Sequence, residues 1–324
     1  MTAARVALWR IAICLVGGCV LAAVQLSPQR DAWWGLMDDS EPLRWRAPGA
    51  EIPLSSVGHV ISTQTEVGRF GSSARYRPVY YLLRVTEASA WGANPELWYR
   101  ARMVLFALVL SGAALAIWMF CGPWLAAGGV AFLLSGWYWR DVWAHLGPAE
   151  QYGAVGTAFV AVGVAAAWRT RAVSAGMWLA ALGVLIGVGS KENFAVLIVP
   201  LALAAWHTRA THRRVGLLAL AAAGVAVGLI AVALATGLRG VTADFYGTPL
   251  GLDARLWWVT GKPGIALVAL WATLGIGAAW VRRMFPRPDD STSARRELPA
   301  DRGAVARSIV RDATLLVVII TALV

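Results

Sequence analysis

The sequence predicts an all-α protein, a polytopic transmembrane helical bundle, and two observations support this fold class. The chain has 324 residues, of which 58% are hydrophobic and 15% charged, with a mean hydropathy of +0.60. A soluble domain of this length usually carries more charge. The apolar residues also form blocks as long as an α-helix needs to cross a bilayer, about 20 residues. We therefore expect one membrane-embedded domain over residues 1–324, with about eight or nine spans.

The apolar blocks define the expected spans in chain order. They are 9–27, 102–120, 124–139, 152–168, 175–189, 192–206, 215–237, 264–281 and a run that opens at 313. The first block follows two arginines and has no clear small-residue cleavage site after it, so we interpret it as a retained anchor. The last run, ATLLVVIITALV, is too short to span. We expect the C-terminal part of the bundle to be missing from this chain.

Charge on the short loops predicts the orientation. Arg5 and Arg10 precede the first span, which favours a cytoplasmic N-terminus. Alternation then places Arg169, Arg209 and Arg282 inside, whereas every acidic residue before Asp289 falls outside. Residues 28–101 become a long first extracytoplasmic loop, and 282–312 a cytoplasmic loop. The abundance of Ala, Arg and Gly is typical of a GC-rich bacterial genome, so we expect a multi-pass protein of the bacterial plasma membrane.

Several function classes are disfavoured by composition. The net charge of +11 does not predict nucleic acid as a partner, because the basic residues flank apolar runs as topology requires. Cys14, Cys19 and Cys121 lie inside apolar runs and are expected to fill the core, with no disulfide or metal role. Lys191 and Lys262 are the only lysines among 29 basic residues. A lysine kept in this background weakly favours a role for its compact ammonium group.

The first outer loop contains a predicted helix, PVYYLLRVTEASAW, that begins at Pro78. Arg84 and Glu87 share one face through their i, i+3 spacing. The predicted apolar face consists of Val79, Leu82, Leu83, Thr86 and Ala90. Two placements are open. The helix could lie in the outer interface with Tyr80, Tyr81 and Trp91 at headgroup depth, or it could be a small helix packed on the bundle.

Polar side chains recur where four outer segments meet the spans. Carboxylates at such positions are costly near hydrocarbon and are functional candidates by default. The segments are MDDSEPLR with Asp38, Asp39 and Glu41; RDVWAHLGPAEQYG with Asp141, His145, Glu150 and Gln151; GSKENF with Lys191, Glu192 and Asn193; and RGVTADFYGTPLGLDARLWW with Arg239, Asp244, Tyr246 and Arg255. We expect several to reach one cavity. Solvated loop tips are the alternative for Asp141, His145 and Asp253, and a mutual ion pair is the alternative for Lys191 and Glu192.

The order of these strings resembles a known family. An N-terminal span precedes DD in the first outer loop, YRPVYYLLRVTEASAWGANPELWYR leads into the second span, LGPAEQYG precedes the fourth, and GSKENF joins the fifth and sixth. Over about residues 1–210 this resembles the protein O-mannosyltransferase-like enzymes of the GT-C membrane glycosyltransferase fold. The DDS and SKE strings are similar to those of the TPR-containing members, although the chain contains no TPR repeats.

The resemblance implies a reaction and its site residues. A sugar would pass from a polyprenyl-phosphate carrier to the hydroxyl of a protein or glycan acceptor, with inversion, on the extracytoplasmic face of the lipid bilayer. Asp38 or Asp39 would be the general base, with Asp38 favoured. Lys191, Arg77 and Arg255 would hold the donor phosphate, where charge grows during transfer. The substrate-binding candidates are Glu41, Glu150, Glu192, His145 and Tyr246.

Two matters stay open at this point. Asp38, Asp39 and Glu150 could hold a divalent cation, Mg²⁺ or Mn²⁺, but no spacing demands one, and no metal ligand is assigned. A polytopic transporter or lipid flippase is the alternative function, although no internal repeat is found and the polar groups cluster at one face. A non-catalytic envelope-assembly protein is a third reading.

Overall fold

The computed structural model describes residues 3–29, 45, 51–68, 76–170, 172–209, 211–240 and 251. Within these ranges the regular secondary structure is entirely helical, as expected from the sequence. The α-helices are α1 Ala3–Gln25, α2 Val57–Gln64, α3 Pro78–Trp91, α4 Pro95–Cys121, α5 Pro123–Ser135, α6 Trp137–Ala144, α7 Glu150–Arg169, α8 Val173–Ser190, α9 Ile198–Thr208 and α10 Arg213–Gly240. Three short 3₁₀ turns cover Ser27–Gln29, Leu54–Ser56 and Glu192–Leu197.

Five of these helices contain segments long and apolar enough to cross a bilayer, consistent with a multi-pass membrane protein. They are Arg5–Gln25, Pro95–Cys121, Glu150–Arg169, Val173–Ser190 and Arg213–Ala235. Each contains or largely overlaps one predicted span. Many large apolar side chains on α1, α4 and α10 are exposed, as lipid-facing helices require.

Two expected spans are broken in the structure. The run 124–139 forms a helix of 13 residues that ends at Ser135, and a second helix begins at Trp137. Gly136 between them has an extended backbone, with ψ near 120°, and glycine favours helix interruption. The run 192–206 forms a 3₁₀ turn and an 11-residue helix. Hydropathy alone does not register such breaks. The expected span 264–281, the loop 282–312 and the run from 313 lie outside the described residues.

The antiparallel pair α7 and α8 forms the centre of the bundle, with α4 beside α7 and α10 beside α8. Glycines let the two central backbones approach each other closely. A Cβ atom added to Gly156 would lie 2.5 Å from the carbonyl oxygen of Gly183, and one added to Gly163 would lie 2.4 Å from the carbonyl oxygen of Gly176. Close backbone approach through small residues is the usual way in which membrane helices pack.

We expect Gly156→Ala to destabilise the bundle, because the new methyl group would meet backbone atoms of α8 that no side-chain rotation can move. Overpacking of this kind costs about 1–3 kcal/mol. Thermal unfolding of the purified protein in detergent measures the effect. Gly128→Ala in α5 is the matched control, because its Cβ would meet no atom within 4 Å. Equal melting temperatures for the two variants would show that the central helices are not in tight contact.

Helix α3 forms as predicted, but its buried face is not the face predicted from Val79, Leu82, Leu83, Thr86 and Ala90. The buried side chains are Tyr80, Tyr81, Arg84, Val85 and Ala88, whereas Leu82 is 50% exposed. Tyr80 and Tyr81 are both buried in an aromatic cluster, with their ring centroids 4.9 Å apart. The helix contacts the end of α8, which agrees with the alternative of a helix packed on the bundle.

Candidate functional site

Three separate segments bring charged side chains together at one end of the bundle. Arg77 immediately precedes α3, Glu150 is the first residue of α7, and Lys191 follows the last residue of α8. Lys191 has an extended backbone, with φ −159° and ψ 137°, so the chain leaves the helix there. Glu192 then opens the 3₁₀ turn. We call Arg77, Glu150, Lys191 and Glu192 the Lys191 cluster.

Two ion pairs define the geometry of this cluster. Lys191 donates a hydrogen bond from Nζ to Oε1 of Glu150. Arg77 Nε lies 3.8 Å from Oε2 of Glu192. The mutual pair considered for Lys191 and Glu192 does not form among the described residues, because each takes its partner from another segment. The structure thereby joins two of the four polar outer segments and adds Arg77 to them.

The Lys191 cluster keeps hydrogen-bonding capacity for a ligand. All four side chains are partly exposed, between 11% and 30%. An ammonium group has three donors, and Glu150 accounts for one of those on Lys191. Arg77 Nε is buried and makes no hydrogen bond in the described part of the chain, and the same holds for the neighbouring Ser190 Oγ. Two cations with unused donors could receive an anionic group here.

His145 does not join the Lys191 cluster through its side chain. Its Nε2 lies 3.5 Å from Oδ1 of Asp141, and both side chains are about half exposed. Its backbone carbonyl, in contrast, accepts a 2.6 Å hydrogen bond from the buried Gln151, which also donates to the Val142 carbonyl. The segment before α7 is thus held through its backbone, and a solvated pair describes Asp141 and His145.

The other predicted site residues, Asp38, Asp39, Glu41, Tyr246 and Arg255, lie outside the described residues. Their expected convergence with Lys191 remains a prediction. One nearby observation concerns Trp45, which follows Glu41 by four positions. Its ring is buried edge-on to Tyr81, with centroids 6.2 Å apart. The chain just after MDDSEPLR therefore lies against α3.

A buried polar network, not assigned to a site from the sequence, lies between α3, α4 and α7. Arg102 donates hydrogen bonds to Oε2 of Glu87 and, at 3.2 Å, to the hydroxyl of Tyr152. That hydroxyl donates to the same Glu87 oxygen at 2.6 Å. Arg84 Nη1 lies 4.0 Å from Oε2 of Glu87. Both arginines are completely buried. We call these four residues the Glu87 network.

The Glu87 network carries more positive than negative charge. Two guanidinium groups share one carboxylate, and Arg84 has no hydrogen-bond acceptor for any of its three nitrogens among the described residues. The Arg84 guanidinium carbon lies 4.7 Å from the ring centroid of Trp98, which supplies a cation–π contact. Ionisable groups this deeply buried are costly unless paired. The i, i+3 spacing of Arg84 and Glu87 was visible in the sequence, but their burial was not.

Metal ligation can be tested on the described side chains. No group of three or more His, Cys, Asp or Glu residues that could hold a metal ion occurs among them. The acidic residues of MDDSEPLR are not part of that set.

Comparison of the chain with protein-family models, with curated proteins and with solved structures found no match. The function therefore has to be inferred from the residues and their geometry.

Proposed function

We propose that this chain is a membrane glycosyltransferase with a GT-C-like fold. It transfers a sugar from a polyprenyl-phosphate carrier to an acceptor hydroxyl on the extracytoplasmic face. The observation that carries the proposal is the Lys191 cluster at the end of membrane-length helices. There the partly exposed Lys191 has donors that Glu150 does not use, and Arg77 adds a second positive charge beside the two carboxylates. A lipid-linked donor would place its phosphate near the ends of the membrane-length helices, because its polyprenyl chain stays in the bilayer.

Each part of the cluster has a role in the proposed reaction. The lipid phosphate is already a good leaving group, so the protein needs a cation where negative charge increases. Lys191 supplies this cation, and Arg77 assists it. Glu150 and Glu192 hold these two side chains in place and remain candidates for contact with the sugar. The general base is assigned to Asp38, with Asp39 orienting it or the acceptor.

Lys191→Ala is expected to weaken donor binding and slow transfer by about 10–100-fold. This fold-change corresponds to the free energy that a hydrogen bond to a charged group contributes. Lys191→Arg keeps the charge but replaces a compact ammonium by a planar fork, so activity should fall in this variant too. The measurement is transfer of labelled mannose from its polyprenyl phosphate by purified protein, together with the dissociation constant of the donor.

Glu150→Gln is the matched control for Lys191→Ala. It breaks the same ion pair but leaves the ammonium group in place, so donor affinity should fall much less than in Lys191→Ala. If both variants lose the same stability and both keep donor affinity, Lys191 serves only the fold. Full transfer activity in Lys191→Ala would remove it from the site.

The proposal requires residues 28–101 to be extracytoplasmic and 207–214 cytoplasmic. Ser55 and Thr211 are both exposed and lie in these two ranges. In a background with Cys14, Cys19 and Cys121 replaced by alanine, a membrane-impermeant maleimide should label Ser55→Cys in intact cells. Thr211→Cys should react only after permeabilisation. The reverse pattern would place the Lys191 cluster in the cytoplasm and would contradict an extracytoplasmic transferase.

A transporter or lipid flippase is the second candidate, and the Glu87 network is the observation that favours it. Arg102 lies two turns inside the apolar helix α4 and is fully buried with Glu87 and Tyr152. Ionisable groups inside spans often mark substrate pathways. Proteoliposomes separate the two functions: a flippase would move fluorescent polyprenyl phosphate across the bilayer without any acceptor, whereas a transferase requires the acceptor and releases the carrier.

A further inference from the structure

The end of the bundle opposite the Lys191 cluster combines arginines with aromatic rings. At the start of α1, the guanidinium carbon of Arg10 lies 6.0 Å from the ring centroid of Trp118 near the end of α4. At the end of α7, that of Arg169 lies 5.0 Å from the ring centroid of Phe120. These contacts bring the beginning of α1 and the ends of α4 and α7 to one level.

The helices α9 and α10 add a second group at this end. The guanidinium carbon of Arg209, directly after α9, lies 3.0 Å from the ring centroid of Trp206. The next helix begins at Arg213, and a Cβ atom on Gly216 would lie 2.7 Å from the Arg209 backbone. The arginines at this end define what we call the basic rim: Arg5, Arg10, Arg169, Arg209, Arg213 and Arg214.

The basic rim contains no carboxylate among the described residues. The described acidic side chains lie at or next to α2, α3, α4, α6 and α7, or directly after α8, and all of them are toward the Lys191 end. Four of the six rim arginines are exposed outside any ion pair seen in the described part of the chain: Arg5, Arg10, Arg213 and Arg214. The rim therefore presents positive charge that the described part of the chain does not neutralise.

Exposed tryptophans occur near the helix ends that carry the rim arginines. Trp9, Trp124, Trp178 and Trp206 are between 55% and 88% exposed. Each lies within about two turns of a helix end on this side of the bundle. Tryptophan prefers the interface between hydrocarbon and headgroups, where its ring is apolar and its N–H can reach a polar partner. The rim arginines and the exposed indole rings thus occur near the same helix ends, a combination typical of the headgroup interface.

We propose that the basic rim binds the phosphate groups of anionic phospholipids in the leaflet that faces it. Guanidinium groups match phosphate oxygens in a bidentate manner, and the exposed indole rings lie beside the acyl chains and glycerol. A nucleic acid fits less well, because the exposed tryptophans would have to leave the bilayer interface. This inference does not depend on the proposed transferase activity.

The test measures binding of dioleoylphosphatidylglycerol and dioleoylphosphatidylcholine to the purified full chain in neutral detergent, by native mass spectrometry. We expect the anionic lipid to bind more tightly, with an advantage that shrinks as salt screens it. Arg169→Gln and Arg209→Gln should each weaken phosphatidylglycerol binding about fivefold and weaken phosphatidylcholine binding less, because the choline ammonium offsets the charge of its phosphate. Because these two arginines also stack on aromatic rings, Arg213→Gln with Arg214→Gln provides a second pair, in which both side chains are exposed.

Arg100→Gln is the matched control, because Arg100 is an exposed arginine at the other end and is paired with Glu96. It should leave binding of both lipids unchanged. Glycerol 3-phosphate at the same concentration as the lipid should not displace phosphatidylglycerol, since it lacks the acyl chains. Equal binding of the two lipids, an equal loss in Arg100→Gln, or displacement by glycerol 3-phosphate would each overturn the proposal.

Discussion

Glu87→Gln is expected to destabilise the protein by about 3–5 kcal/mol, the cost of removing one partner from a buried ion pair. Glu87 is the carboxylate that Arg102 and Tyr152 bind directly and that Arg84 faces at 4.0 Å. Its loss would leave two completely buried guanidinium groups without a described counter-charge. Thermal or chemical unfolding of the purified protein in detergent measures the effect.

The same network predicts a smaller loss of stability for Arg84, its least bonded member. Arg84→Met removes the excess positive charge and sacrifices mainly the contact with Trp98, so it should cost much less than Glu87→Gln. Glu96→Gln is the surface control: Glu96 is half exposed and pairs with Arg100, and an exposed i, i+4 pair contributes about 0.3–0.5 kcal/mol. If Glu87→Gln is as mild as Glu96→Gln, the network is hydrated or compensated by another anion.

Asp38→Asn is expected to reduce sugar transfer by about 10²–10⁴-fold, the usual contribution of a general base. The amide is nearly isosteric with the carboxylate but cannot accept the proton from the acceptor hydroxyl. The protein should remain folded and should bind the lipid donor with unchanged affinity, because the base acts on the acceptor. Transfer rate and donor dissociation constant are measured on the same preparation.

The neighbouring acids provide the comparison for this variant. Asp39→Asn should have a smaller effect if Asp39 orients the base or the acceptor. Asp141→Asn changes an exposed aspartate at the Lys191 end of the bundle, whose partner is His145. This variant should leave transfer unaffected. Full activity in both Asp38→Asn and Asp39→Asn would place the base elsewhere.

Some features of this protein follow from the sequence by itself. Five of the predicted spans correspond to long helices in the structure, because one helix satisfies its own backbone hydrogen bonds, whatever its neighbours are. The helix that begins at Pro78 was predictable for the same reason, since proline at the first position and the following residues act locally. That the charges of GSKENF stay close to the bundle was also predictable, because so short a connection cannot carry them far from the helix ends.

Other features were decided only by tertiary structure. Which face of α3 is buried depends on its neighbours. Glu87 pairs with Arg102 and Tyr152 on α4 and α7, and this allows the face that carries Arg84 to turn inward in place of Leu82. Lys191 likewise bonds to Glu150, 41 positions away, and not to the adjacent Glu192. Periodicity reports the average polarity of a helix face, whereas the burial of a charge depends on a partner from a distant segment, and only the folded chain brings that partner into place.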